Sequence, residues 1–331
     1  MKAVHYVTCF RNLRISEPIR GYLQLLPNVN IANDPSIKAQ FLTPAFARAA
    51  GVIEAEHLRV ESNIVCGEFE TSDMEGMPPD SFLLVILLWI DLLLRNAWLV
   101  KDHGMECDAA FLRVDTPLGT SWTRNFLAMR PSFADGRVGS ALEMSISELN
   151  GWAQKSDLVE SYLHDTDSSS LRFMLEKGYT RSGRAMQYVD AARRTASLPF
   201  KIAHYCSAFE TLFTTDAAEL AHKLSERVAF FLGERGHDRL AVYGTIKNAY
   251  AIRSKLVHGD TLKAKQIEEL SSLSVQCDNY LRVILNCVFT TDSLKGVFDL
   301  GTDALDEYFA RLIFGVSTAD GTDPAVSSST K

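Results

Sequence analysis

The hydrophobic periodicity changes partway along this 331-residue chain, and the change limits it to a fold with two unlike parts. Before about residue 160, "KAVHYVTCF" (2–10) and "HLRVESNIVCGEFE" (57–70) alternate polar and apolar residues with period two, as half-buried strands do. From "DTDSSSLRF" (165–173) onward, apolar residues recur every three or four positions, as on one helix face. The expected fold is therefore α+β, with a mixed strand and helix domain over 1–160 and an all-helical bundle over 165–314. "GMPP" (76–79) and "TPLG" (116–119) supply turns in the first half. The tail "GVSTADGTDPAVSSSTK" (315–331) has too few apolar residues to pack and is expected to be disordered.

"SFLLVILLWIDLLLRNAWLV" (81–100) is the only strong helix expected in the first half, and it has the length of a membrane span. Asp91, Arg95 and Asn96 near its middle argue against insertion, because each charge would cost roughly 2.5 to 3.5 kcal/mol at the bilayer centre. As an i,i+4 pair in a soluble helix, Asp91 and Arg95 support each other, so a buried core helix is expected and no membrane partner. The amino terminus has no apolar block of the secretory type, which points to the cytoplasm. The six cysteines show no C-x-x-C spacing and are read as reduced, mostly buried thiols, with no metal and no cofactor expected. His57, Glu54 and Glu56 lie close in sequence and read as a surface helix end.

In the second half, Ser168–Ser170 offer caps for a short helix through Glu176, and "RSGRAMQYVDAARR" (181–194) forms another. Pro199 fits the N1 position of a helix in which Ile202, Cys206, Phe209 and Phe213 share a face. Asp216 is expected to cap the next helix, with Leu220, Leu224, Val228 and Phe231 as its stripe and Gly233 as its stop. A third helix spans about 238–258, a fourth covers 264–289 and a short fifth covers 304–314.

The net charge of -7 is unevenly spread: residues 193–265 hold 12 Lys and Arg against 7 Asp and Glu, compatible with a phosphate-bearing ligand. On a wheel of the 238–258 helix, Tyr243, Ile246, Tyr250 and Val257 fall on one apolar face with Arg253 between them. A guanidinium there needs a carboxylate or an anionic ligand, and Glu210 and Glu226 are the candidate carboxylates. His258 lies about 140° further round, just before Gly259, a residue suited to end a helix. The carbonyl end of the helix favours imidazolium. An arginine that stabilises charge on a phosphate and a histidine that moves a proton suit phosphoryl chemistry on RNA, whose 2′-hydroxyl supplies the nucleophile. With 21 arginines and 8 histidines in the chain, the Arg-x4-His spacing alone carries little weight.

More than the pair can be matched. The Ala-x-Glu of "SAFETLF", the Leu-x-Glu-Arg-x-Ala of "KLSERVAFFLG" and the Tyr-x-x-Arg-Ser-x-x-Val-His-Gly of "NAYAIRSKLVHGD" together resemble the ApeA-like branch of the HEPN superfamily. The resemblance covers roughly 170–310 and leaves the first half as a variable domain, read as regulatory. It implies a helical bundle that dimerises so that two Arg/His motifs face each other, and metal-independent cleavage of RNA to a 2′,3′-cyclic phosphate. On that basis Arg253 and His258 are the expected catalytic residues, with Glu210, Tyr250 and Ser254 in support and Lys247 and Lys255 guiding the RNA backbone. Ser254 departs from the Asn, Asp or His that many active members carry after the arginine, though it can still hydrogen-bond a phosphate. The expected partners are RNA, a second copy of the chain and a trigger for the first domain, with defence or growth arrest as the setting. The alternative is a HEPN module that binds nucleotide or RNA, or dimerises, without catalysis.

Overall fold

The computed structural model describes residues 3–116, 119–166, 174–216 and 218–315. The caps assigned to Ser168–Ser170, Pro117 and Leu118 of the "TPLG" turn, and the tail after Gly315 lie outside the described residues. The fold is α+β, with a six-stranded antiparallel sheet first and helices after it. Two compact units divide the chain: Met1–Phe133 with Arg137–Asp157, and Ala134–Gly136 with Leu158–Lys331.

The first unit runs β1 (Ala3–Thr8), β2 (Leu13–Ile15), β3 (Leu23–Leu26), β4 (Val29–Ala32), α1 (Pro35–Phe41), α2 (Pro44–Ala50), α3 (Val52–Val60), β5 (Ile64–Glu70), α4 (Pro79–Ala97), β6 (Ala109–Thr116), β7 (Gly119–Phe126) and β8 (Leu142–Met144). The sheet order is β3-β4-β5-β1-β6-β7, and β2 pairs separately and in parallel with β8. Strand alternation separates two cores. Val4, Tyr6, Val65, Phe69 and Leu112 share one with Leu83, Ile86, Leu87 and Ile90 of α4. Val7, Ile64 and Phe111 share the other with Ile37, Phe46 and Leu58 of α1–α3. Gly67 of β5 is required by a close approach, since a Cβ there would run into the Asn28 carbonyl and the Tyr6 ring.

Several expectations need correction. The alternation read through 57–63 is absent: His57–Val60 finish α3, and the strand begins only at Ile64. The helix over 81–100 is present as α4, and among the described residues no helix is long and apolar enough to cross a membrane. It is not the only long helix before residue 166, because α5 (Ile146–Asp165) has 20 residues. Arg95 sits buried at 6% exposure, with Nε and Nη2 unbonded.

The second unit holds α6 (Arg181–Arg193), α7 (Leu198–Phe213), α8 (Leu220–Gly233), α9 (Arg239–His258), α10 (Ala264–Thr290), α11 (Asp292–Asp299) and α12 (Thr302–Phe314). Residues 174–178 form turns, so no helix runs through Glu176. Pro199 lies one residue later than expected, at the second position of α7 after the Ser197 cap. Asp216 does not cap α8. Glu219, in a left-handed conformation (φ 50°), fills that place, while the Asp216 carboxylate accepts from the Ala218 amide and pairs with Lys223. Gly233 is the last helical residue of α8 rather than its stop, and the left-handed glycine that follows is Gly236 (φ 86°). Ile202, Cys206, Phe209 and Phe213 are all fully buried on α7, as their spacing indicated. Phe213, Phe231, Phe298 and Phe309 form a ring cluster with centroids 5.4 to 5.8 Å apart, which ties α11 and α12 to α7 and α8.

Candidate active site

Helix α9 starts at Asp238, whose carboxylate accepts from the Ala241 amide, and stops at Gly259. Gly259 takes φ 74° and ψ 20°. Its amide donates to the Leu256 carbonyl and that of Asp260 to the Lys255 carbonyl, the two bonds of a Schellman stop.

The buried stripe of α9 consists of Val242, Thr245, Ile246, Ala249 and Ile252. It is rotated from the expected face: Tyr243 and Tyr250 are half-buried flank residues, and Val257 is 62% exposed. The physical reason is packing. Small and β-branched side chains let α7, α8 and α10 approach closely, and the tyrosines are left on the shoulder of the helix. Arg253 accordingly sits at the border of the stripe, with its side chain 29% exposed.

At that border the guanidinium meets α7. Arg253 Nη2 lies 3.6 Å from Oε2 of Glu210, Nη1 donates weakly to the Tyr250 hydroxyl at 3.4 Å, and the Tyr250 ring centroid is 5.4 Å away. Glu210 is the partner, not Glu226. The pairing is incomplete, because Glu210 Oε1 is buried without a hydrogen bond. Burial pushes the Glu210 carboxyl above its ordinary range, against a smaller downward pull from Arg253. Burial likewise raises the Tyr250 hydroxyl, and the neighbouring Glu210 adds to it.

The other expected residues are not gathered there. His258 is the last residue of α9 and is exposed; among the described residues no hydrogen bond or ion pair holds it. Ser254 is half-buried beside Arg253 in sequence. Lys247 is exposed, with its ammonium 5.7 Å from the Tyr243 ring centroid. Lys255 is tied to the connection after α9 and to α10, donating to the Thr261 carbonyl at 3.1 Å and to Gln266 at 2.9 Å.

Two polar assemblies of the second unit were missed in the sequence. Arg227 of α8 is buried and donates to the Asp306 carboxylate of α12 and to the Phe213 carbonyl, with its guanidinium 4.9 Å from the Phe309 centroid. Asp278 of α10, fully buried, accepts from the Tyr205 hydroxyl at 2.8 Å and from Arg282. A signal existed for the first: Arg227 stands three residues after Leu224 and one before Val228, beside the apolar stripe. The chain matches no protein-family model, no curated protein and no solved structure. Its functional reading therefore rests on these residues and their arrangement.

Proposed function

We propose that the helical unit is a metal-independent endoribonuclease of the HEPN type, acting as a dimer. The observation that carries this reading is the under-coordinated cation at the end of α9. Arg253 is held in place by one long ion pair, one weak hydrogen bond to the Tyr250 hydroxyl and that residue's aromatic face, and keeps donors uncommitted at a partly open border. A phosphate there would be met by a guanidinium already oriented. His258, one turn further and free in solvent, would move the proton of the attacking 2′-hydroxyl or of the leaving 5′-oxygen. A second copy of the chain supplies a second Arg253 and His258 and covers the exposed Val257. The test is to incubate wild type and His258→Ala with labelled RNA in excess chelator. Cleavage by the wild type alone, with cyclic-phosphate ends, supports the reading. No cleavage by the wild type, or equal cleavage by both, ends it.

A second reading is a non-catalytic module that binds nucleotide or a partner chain and organises a dimer. It draws on the separation of His258 from the Arg253, Glu210 and Tyr250 cluster within one chain. A stable dimer in a solution mass measurement, combined with no cleavage of any RNA, would favour it.

A further inference from the structure

The helical unit contains a cavity of about 540 Å³ where the start of α6 meets the end of α11. That volume lies within the usual range for small-molecule sites. Its inner wall is Phe298, fully buried against the Phe213 and Phe231 rings. Its polar lining includes two guanidiniums, Arg181 and Arg184, one helical turn apart at the first and fourth positions of α6.

These charges stand where cations are disfavoured. The amino end of a helix carries the positive end of its dipole and favours acidic side chains, yet the first turn of α6 has none. Neither arginine is neutralised. Arg181 donates to the Thr211 and Thr214 carbonyls at 3.1 and 2.9 Å, Arg184 donates to those of Met174 and Tyr179, and among the described residues neither forms an ion pair. Burial lowers the Arg181 guanidinium from its ordinary value, and the like charge of Arg184 lowers it further. Nearby Arg227 differs, because it is bound to Asp306. One acid, Asp299, lines the cavity, but it is engaged by the Tyr162 hydroxyl at 2.9 and 3.2 Å, and burial pushes its carboxyl up. A carboxyl raised in this way takes a proton more readily and opposes an anion less. Two partly desolvated like charges and a helix dipole, with no counter-charge bonded to them, call for an anion in the cavity.

We propose that this cavity binds a phosphate group, as the free ion or as the end of a small monoester, between Arg181 and Arg184. Each guanidinium keeps donors beyond those its carbonyls use, and phosphate offers several oxygens to receive them. The proposal does not depend on the ribonuclease reading, because it shares no residue with the Arg253 site.

Chemical protection of the full wild-type chain tests it. Phenylglyoxal modifies guanidiniums, and peptide mass spectrometry reads each arginine separately. Inorganic phosphate or phenyl phosphate, at ten times its dissociation constant, should slow modification of Arg181 and Arg184 by about tenfold, with exposed Arg311 unaffected. Protection at lower concentration by inorganic phosphate assigns the free ion, and by phenyl phosphate the ester. Arg184→Lys keeps a cation for the Met174 and Tyr179 carbonyls but loses the planar fork, so protection of Arg181 should need about tenfold more phosphate. No protection of Arg181 and Arg184 by either compound, equal protection by chloride at the same ionic strength, or unchanged protection of Arg181 in Arg184→Lys would overturn the proposal. An absence of RNA cleavage would leave all of these results as expected.

Discussion

Two guanidinium–carboxylate pairs in the helical unit use the same chemical groups to different effect. Arg227 is 10% exposed in its side chain, bonds to Asp306 and to the Phe213 carbonyl, and packs on the Phe309 ring. Burial pushes the Asp306 carboxyl up, but hydrogen bonds from Thr215 and Arg227 outweigh it and hold the group below its usual range. Arg253 is 29% exposed, 3.6 Å from its carboxylate, and that carboxylate keeps one buried oxygen unbonded and titrates above its usual range. The first pair is saturated and fastens α8 to α12. The second is under-satisfied, which costs stability and leaves a positioned cation with donors to spare.

The comparison can be broken by substitution. Arg227→Ala should have the largest effect, lowering the unfolding free energy by about 3 kcal/mol in a denaturant titration, because the Phe213 carbonyl and Asp306 lose their partner. Gly259→Ala comes next, at about 1–2 kcal/mol, from forcing a side chain into the left-handed region; nothing lies within 4 Å of the new Cβ, so the cost is conformational. Arg253→Ala should cost less than about 1 kcal/mol, since the pair is long and partly exposed.

The smallest effects are in pH dependence, and their signs are opposite. The Asp306 carboxyl is depressed in the fold, so its contribution is present above the ordinary carboxylate range and is lost as pH falls through the depressed value. Glu210 is raised, so its contribution is complete below the ordinary range and is lost as pH rises through the raised value. Melting temperatures against pH should therefore show Asp306→Asn removing an acid-side loss and Glu210→Gln removing a loss on the less acidic side. Equal profiles for the two variants would contradict the comparison.

How much of this was legible in the sequence depended on whether an interaction is local. The change from period two to period 3.6 located the sheet and the bundle, and Gly259, a residue suited to end a helix, marked the end of α9. The short helices α1 and α2 were overlooked although Asp34-Pro35 and Thr43-Pro44 start them with both a capping side chain and a proline. The wheel identified Arg253 as an arginine needing a carboxylate and left Glu210 and Glu226 as the two candidates, of which the fold uses Glu210, but it centred the buried face wrongly. Which side of α9 faces inward is decided by α7, α8 and α10, and no property of α9 alone reveals it. The Arg227 to Asp306 pair spans 79 residues and the Tyr205 to Asp278 bond 73, separations at which one sequence holds no pairing signal.

The most direct test of the central claim, that Arg253 is kept for an anionic ligand rather than for stability, is a paired measurement on Arg253→Ala: unfolding free energy, and cleavage of labelled RNA in excess chelator. The account predicts stability within about 1 kcal/mol of wild type together with a loss of cleavage of about a hundredfold or more. A variant that cuts RNA as well as wild type, or that loses several kcal/mol of stability as Arg227→Ala does, would contradict it.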